Sequence, residues 1–221
     1  NVYYLRGFPA RGDLFLDGIR DIGEYNRDLF NVEQVEVLKG PSSLMFGRGS
    51  TAGIIHQQSK TPTLWPIQEL GLTLGSEEKK RLTADLNVKT AESHAFRLNA
   101  LVEDSGYYRY PQDVEKLGVA PSLRLGIGGG TDVTLSYYYL KTRDVTDYGQ
   151  PTLFTAGTGF FGLAPVSPKT YYGFANHDFT EHETNMATMR VDHRVSDAVS
   201  VRNTLRWANF QREMEATIPS L

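Results

Sequence analysis

Apolar and polar residues alternate along most of the chain beyond residue 63. Near the start of this region, Leu82, Leu86 and Val88 share one parity, whereas Thr83 and Asp85 share the other. A period of two residues is typical of a β-strand, because successive side chains point to opposite faces. The alternation recurs in seven segments, which are 68–74, 82–89, 96–103, 117–127, 133–139, 187–194 and 199–207. The pattern therefore predicts an all-β protein built on seven strands.

The segments and their connections are typical of a membrane barrel. Measured between the predicted turns and loops, the whole strands run to roughly 9–17 residues, against about 5–6 in soluble sheets, and tilted strands of that length cross a bilayer. One face carries almost no charge, and the other is polar and often charged. Tight turns at 91–93, 128–130 and 196–198 alternate with long loops at 105–116 and 149–180, as in outer-membrane barrels. A soluble sandwich also alternates, so it stays as the alternative.

The first part of the chain has a different character, with short elements and frequent turns such as Asp17-Gly18 and Gly47-Arg48-Gly49. The change near residue 63 predicts two units, 1–62 and 63–221. Seven strands do not close a bacterial barrel, because single-chain barrels of this kind have an even number of strands. An open seven-stranded sheet would instead leave two unpaired edges in lipid. The chain also begins on strand-like residues without an initiator Met. We therefore expect it to be a fragment of a longer protein.

Composition narrows the possible functions. The net charge of the 221 residues is only -3, so nothing in the global electrostatics points to nucleic acid. The absence of Cys excludes a disulfide framework, a Cys-ligated zinc site and a thiol nucleophile from this chain. No apolar run approaches the ~20 residues that a membrane-spanning helix needs. A nucleophile elbow, an HExxH motif and a paired-carboxylate signature are also missing, so the sequence does not predict an enzyme.

Residues 1–62 carry a long compound motif. Its segments are YYLRGF (3–8), DLFLDGIRD (13–21), YNRDLFNVEQVEVLKGP (25–41) and LMFGRGSTAGIIHQQSKTP (44–62). In order and spacing this stretch resembles the C-terminal part of the plug domain of TonB-dependent outer-membrane receptors. Within that family it is most similar to receptors for catecholate siderophores. Ala52 and His56 depart from the family pattern, in which Gly and Asn are typical, and neither change alters the expected fold.

The resemblance implies a plugged transmembrane antiparallel β-barrel of about 22 strands when complete. Residues 1–62 would be the C-terminal part of a small mixed α+β plug, with a helical turn over 42–45, and residues 63–221 would be the first seven or so barrel strands. The protein would be a receptor in the bacterial outer membrane, surrounded by lipid, that takes up a ferric siderophore and is energised by TonB and its inner-membrane complex. The siderophore would be cargo, so no resident cofactor or metal site is expected.

By the same resemblance, the ligand is expected to contact the plug apices that face the long loops. Arg11 and Arg27 offer charge-assisted hydrogen bonds to an anionic ferric catecholate. Tyr25, beside Asn26, offers an aromatic surface. The alternative is that both arginines are solvated charges in turns.

The loop 149–180 contains six aromatic residues between positions 154 and 174, among them Phe160 and Tyr171. Aromatic residues in a glycine-rich loop suggest a capture surface for an aromatic ligand, and Tyr107 and Tyr108 suggest the same for the earlier loop. Packing of each loop on itself is the alternative explanation.

Arg6 and Lys39 match family positions at which basic plug residues pair with glutamates of the barrel. Such pairs would hold the plug and yet break under load. Their partners are expected beyond Leu221.

Three other functions stay open at this point. The same family also suggests another cargo, such as cobalamin, haem or a carbohydrate. A soluble β-rich binding module would explain the alternation without a membrane. An enzyme barrel would need an active set of side chains on its strands, and the plug motif argues against it.

Overall fold

A computed structural model describes residues 4–5, 8–9, 13–39, 53–109, 113–155, 160–174 and 176–218. In chain order its strands are β1 (Tyr4–Leu5), β2 (Phe8–Pro9), β3 (Leu14–Leu16), β4 (Ile19–Arg20), β5 (Val32–Lys39), β6 (Gly53–Ser59), β7 (Ile67–Leu74), β8 (Lys80–Ala91), β9 (His94–Gly106), β10 (Asp113–Leu125), β11 (Thr131–Asp144), β12 (Thr152–Thr155), β13 (Phe160–Leu163), β14 (Phe179–Arg194) and β15 (Ser200–Glu215). No helix among these residues is long and apolar enough to cross a membrane. The helical turn predicted over 42–45 lies outside the described residues.

The early strands form a small sheet in the order β4-β3-β6-β5. β3 and β4 are joined by Asp17 and Gly18, whose φ angles of 54° and 81° are those of a tight hairpin turn. β3 then runs parallel to β6, which places its three buried residues next to Ile55, His56 and Gln57. A short apolar strand is thus placed in the interior of the early part of the chain.

The later strands form a large sheet in the order β15-β14-β11-β10-β9-β8-β7, with every neighbouring pair antiparallel. Within the described part of the chain, each of the seven predicted strands is present in this sheet. The small sheet ends at Ser59 and the large sheet begins at Ile67, on either side of the predicted change near residue 63. The predicted tight turns connect β8 to β9, β10 to β11 and β14 to β15.

The observed strands are longer than the predicted ones at the long-loop end. β10 begins at Asp113, within the predicted loop 105–116. β14 and β15 also extend over 179–186 and 208–215, beyond their alternating segments. The added residues do not continue the alternation of apolar and polar positions, yet their backbones pair with the neighbouring strands. The loop 149–180 also contains the hairpin of β12 and β13, which the sequence pattern did not predict.

The two faces of the large sheet are reversed relative to a soluble sheet. Its apolar face is open, with Leu70 at 73% and Trp207 at 58% exposure. Its polar face is covered, and residues such as Asn87 and Thr142 are fully buried there. Antiparallel sheets in water bury their apolar face. An open apolar face of this extent is instead typical of strands that contact lipid hydrocarbon, and it confirms the predicted division of the two faces.

The segment that connects β4 to β5, residues 21–31, covers the polar face of the large sheet. Phe30 stacks on Tyr138 of β11 with ring centroids 5.7 Å apart. The approach is close because β10 has Gly118 at the contact, where a Cβ atom would lie 2.8 Å from the Phe30 ring. The shared apolar cluster consists of Leu16, Tyr25, Phe30, Leu101, Ala120, Tyr138, Leu140 and Met186, with Phe210 packed against it. Apart from this cluster, the contact between the early residues and the large sheet is mainly polar.

Candidate functional site

Segment 21–31 lies towards the long-loop end of the large sheet. Its Asp28 contacts Arg81, the second residue of β8 after the turn at 75–79, and Lys116, near the start of β10. The opposite, short-turn end receives the chain after β6, where Arg124 donates a hydrogen bond to the carbonyl of Pro62 (3.3 Å). The small sheet and segment 21–31 therefore extend along the polar face from one end to the other.

Asp28 is the centre of a buried charge cluster at the long-loop end. Arg81 donates two hydrogen bonds to its carboxylate, at 2.7 and 2.8 Å, and a third to Glu103 at 2.5 Å. Lys116 lies farther away, 3.4 Å from Asp28 and 3.3 Å from Glu103. Burial alone would raise the pKa of Asp28, but the hydrogen bonds and charge of Arg81, with the charge of Lys116, outweigh it and hold that pKa below its usual value.

This lowered pKa predicts how Asp28 contributes to stability at acid pH. A carboxylate whose folded-state pKa lies below the ordinary 3.8 contributes fully above that pH, and the contribution is lost as pH falls through the folded-state value. We expect thermal unfolding of the full-length protein to show this loss below about pH 4 and Asp28→Asn to lack that part of the pH dependence. Parallel curves for the two proteins between neutral and acid pH would contradict the assignment.

A second charge cluster lies at the short-turn end, centred on Arg97 of β9. Its guanidinium donates two hydrogen bonds to Asp85 of β8, at 2.8 and 2.7 Å, and one to the carbonyl of Thr61 at 3.0 Å. Lys60 also reaches Asp85, at 2.9 Å, and Glu33 of β5 lies 3.3 Å from Arg97. The cluster thus joins the chain around residues 60–61 to two strands of the large sheet.

Arg206 of β15 makes a third polar contact between the two parts. Its guanidinium donates to the carbonyl of Leu16 and to the carboxylate of Asp17, both at 3.0 Å. Asp17 in turn accepts hydrogen bonds from the backbone and the hydroxyl of Ser59, at 2.7 and 2.9 Å. The hairpin turn of the small sheet is therefore held against the last described strand of the large sheet.

Two of the predicted ligand residues, Tyr25 and Arg27, lie together in a buried group of hydrogen-bonded side chains around Asp21. Both donate to the carboxylate of Asp21, at 2.8 and 2.9 Å, and Arg27 also donates to the carbonyl of Gly23 at 2.7 Å. The guanidinium lies 4.4 Å from the centre of the Tyr25 ring, which stacks on Phe210 of β15. Burial, followed by the charge of Asp21, raises the pKa of the Tyr25 hydroxyl. The polar groups of both side chains thus make hydrogen bonds within segment 21–31. Their direct contact with a ligand stays a prediction.

The remaining predicted ligand residues are spread over several elements. Asn26 is half-buried within the same apex. The hydroxyl of Tyr171 donates to Asp178 at 2.7 Å and lies 3.0 Å from the carbonyl oxygen of Thr146, which connects the long loop to the residue before β14. Phe160 opens β13, and Arg11 lies outside the described residues. Burial and then the hydrogen bond to Asp178 raise the pKa of Tyr171, so its hydroxyl keeps the proton that it donates to Asp178.

Ion pairs other than those predicted for Arg6 and Lys39 join the early residues to the large sheet. One of them, Lys60 on Asp85 at 2.9 Å, has the predicted polarity. Arg6 lies outside the described residues, and the pairing of Lys39, which is exposed at the end of β5, with a glutamate stays a prediction. Three observed contacts have the opposite polarity, with an early carboxylate on a later arginine: Asp17 on Arg206, Asp28 on Arg81 and Glu33 on Arg97. Nothing local to these residues signals the pairing, because both partners are ordinary polar residues of turns and alternating strands.

In the described ranges, no group of three or more His, Asp or Glu side chains is arranged to hold a metal ion. What the geometry offers is a polar, charge-paired interface at one face of an open sheet and exposed aromatic residues above it. Such an arrangement suits the binding of a ligand and the movement of one part against the other.

Comparison with known proteins agrees with this architecture. Residues 1–54 match the family model of the TonB-dependent receptor plug domain. The chain is 36% identical over 220 residues to a probable TonB-dependent receptor, BfrD, of Bordetella pertussis, covering 99% of this chain and 30% of that protein. It matches the crystal structure of the ferric-catecholate import receptor Fiu from Escherichia coli K12, in its open form, with a TM-score of 0.88 and 34% identity, covering 96% of this chain and 34% of that one.

A third match is the siderophore receptor PiuA from Acinetobacter baumannii, whose crystal structure superimposes with a TM-score of 0.88 and 32% identity over 96% of this chain and 31% of that one. The chain thus spans about a third of the length of the curated relatives it matches. The likeness covers the plug segment and the large sheet together, in both sequence and structure. The chain therefore belongs to the family of TonB-dependent receptors.

Proposed function

We propose that the full-length protein is an outer-membrane receptor that binds a ferric siderophore of catecholate type and imports it with energy supplied through TonB. The observation that carries the proposal is the reversed large sheet. Its apolar face is open, as contact with lipid requires, and its polar face is covered by early residues held through ion pairs. A transporter needs this division, because cargo that moves along a polar wall must first displace what covers the wall.

The chemistry at the long-loop end supports an aromatic, anionic cargo. Tyr107, Tyr148 and Phe174 are each more than half exposed there, and exposed aromatic rings favour stacking with catechol rings. Arg27, Arg81 and Lys116 place cationic groups in or below the same region. The names of the relatives Fiu and PiuA, which refer to ferric catecholate and siderophore, point to the same class of ligand.

Ligand binding by the full-length protein in detergent tests the proposal. We expect a ferric catecholate to bind far more tightly than a ferric hydroxamate or cobalamin. Tight binding of cobalamin, haem or a carbohydrate in place of the ferric catecholate would keep the transport mechanism and overturn the cargo. Iron starvation should also induce the gene.

The outward face offers a separate test of the membrane environment. Leu205 is 64% exposed on the apolar face. We expect Leu205→Arg to destabilise the protein folded in lipid vesicles by about 2–4 kcal/mol. A soluble β-rich module would tolerate a charge at such a position with a change within about 0.5 kcal/mol. Glu213→Arg, on the same face but beyond the apolar residues, serves as the control and should change little.

A further inference from the structure

A recess of about 360 Å³ opens beside the Asp28 cluster at the long-loop end of the large sheet. Two adjacent tyrosines, Tyr107 and Tyr108, form one side, with ring centroids 5.3 Å apart and about half of each side chain exposed. Lys79, from the turn between β7 and β8, and Lys116, from β10, contribute cationic groups to the lining. The recess therefore combines aromatic surface with positive charge.

The recess lies on the polar face of the sheet, next to the Asp28 cluster. Glu103 and Ser105, which also line it, are buried on that face. Glu103 is matched by Arg81 at 2.5 Å, so its charge is neutralised within the cluster. Glu77 lies at the exposed turn and is the carboxylate that opposes an anion there.

Lys116 belongs to the recess and to the plug contact at the same time. Its ammonium is 3.4 Å from Asp28 and 3.3 Å from Glu103, beyond the usual range for charge-assisted hydrogen bonds. Arg81 holds the same two carboxylates at 2.5–2.8 Å. Lys116 is thus the more loosely held of the two cations, and its long, flexible stem lets the ammonium turn to a new partner.

We propose that this recess binds the aromatic, anionic chelate and that Lys116 is shared between the bound anion and Asp28 of the plug. The inference rests on the proposed function and adds to it a site and a coupling route. An anion in the recess draws Lys116 towards its oxygens and away from Asp28, which weakens the hold of the sheet on segment 21–31. Because coupling between two equilibria is reciprocal, weakening the Asp28 contact must also strengthen binding of the anion.

The coupling is tested with four forms of the full-length receptor in detergent: the wild type, Lys116→Gln, Asp28→Asn and the double variant. The probe is the ferric complex of catechol itself. Lys116→Gln should weaken binding about tenfold, the scale of one lost charge-assisted hydrogen bond. Asp28→Asn should tighten it severalfold, because Lys116 is released. In the double variant the effect of Asp28→Asn should vanish, since the residue through which it acts is gone. Lys79→Gln is the matched control: it lines the recess without a contact to Asp28, so Asp28→Asn should still tighten binding in that background.

Hydrogen exchange gives a second readout that does not depend on the Asp28 variant. Saturating ferric catecholate should speed exchange in segment 21–31 of the wild-type protein and leave it unchanged in Lys116→Gln. Equal affinities of wild type and Lys116→Gln, or an Asp28→Asn effect that persists without Lys116, would overturn the inference while the receptor still binds the chelate. Failure of the wild type to bind any ferric catecholate would instead overturn the proposed function.

Discussion

Arg97→Met is expected to weaken the contact between residues 1–62 and the large sheet and to lower the free energy of unfolding by about 3 kcal/mol. The side chain is 5% exposed and makes three hydrogen bonds, two to Asp85 and one to the backbone at Thr61. Removing one partner of a buried ion pair costs about 3–5 kcal/mol, because the other charge is left without compensation. The lower end of the range applies here, since Lys60 still reaches Asp85 at 2.9 Å.

Thermal unfolding of the full-length protein and limited proteolysis around Thr61 measure this effect. Arg202→Met is the matched control, because Arg202 also pairs with an aspartate of the large sheet, Asp192, but its side chain is 67% exposed. Exposed pairs contribute at most about 1 kcal/mol. If the two arginine variants prove equally stable and equally resistant to protease, the buried cluster does not hold the plug.

Phe30→Ala is expected to have an effect of about the same size through a different mechanism. Phe30 is 5% exposed, stacks on Tyr138 and belongs to the apolar cluster between plug and wall. Truncation of a buried phenylalanine costs about 3–5 kcal/mol, from lost apolar burial and from the cavity that remains. Gly118 contacts the ring with its backbone only, so β10 has no side chain at that point that could move into the cavity.

The neighbouring residue provides the control. Leu29 is of similar apolar character but 57% exposed, and Leu29→Ala should change stability by no more than about 0.5 kcal/mol. Hydrogen exchange over segment 21–31 should rise strongly in Phe30→Ala and hardly at all in Leu29→Ala. Similar exchange in both variants would mean that the apolar cluster is not what fixes the segment.

The functional side chains were harder to predict than the fold. The sequence predicts Tyr25 and Arg27 at a ligand-facing apex. The structure places them together in segment 21–31, with their polar groups engaged by Asp21 and the backbone, and their contact with a ligand stays a prediction. Asp28 and Lys116 carried no signal at all in the sequence. Their positions 88 residues apart become adjacent only when the plug segment lies on β10.

The alternation of residues by itself determined the seven long strands, the apolar face they share and the tight turns between them. It could do so because the two-residue period and the turn residues are local properties of the chain. The compound motif of residues 1–62 likewise carried the family, since its order and spacing are written in consecutive residues. These features need no knowledge of what packs against what.

Tertiary structure alone decided where the strands end and which charges pair. The strands extend at the long-loop end because neighbouring backbones continue to form hydrogen bonds there, whatever the side chains. The ion pairs join residues 53 positions apart for Asp28 and Arg81, and 189 apart for Asp17 and Arg206. A buried charge needs a partner of opposite sign within a few ångströms, and only the folded arrangement of plug and wall selects which one it meets.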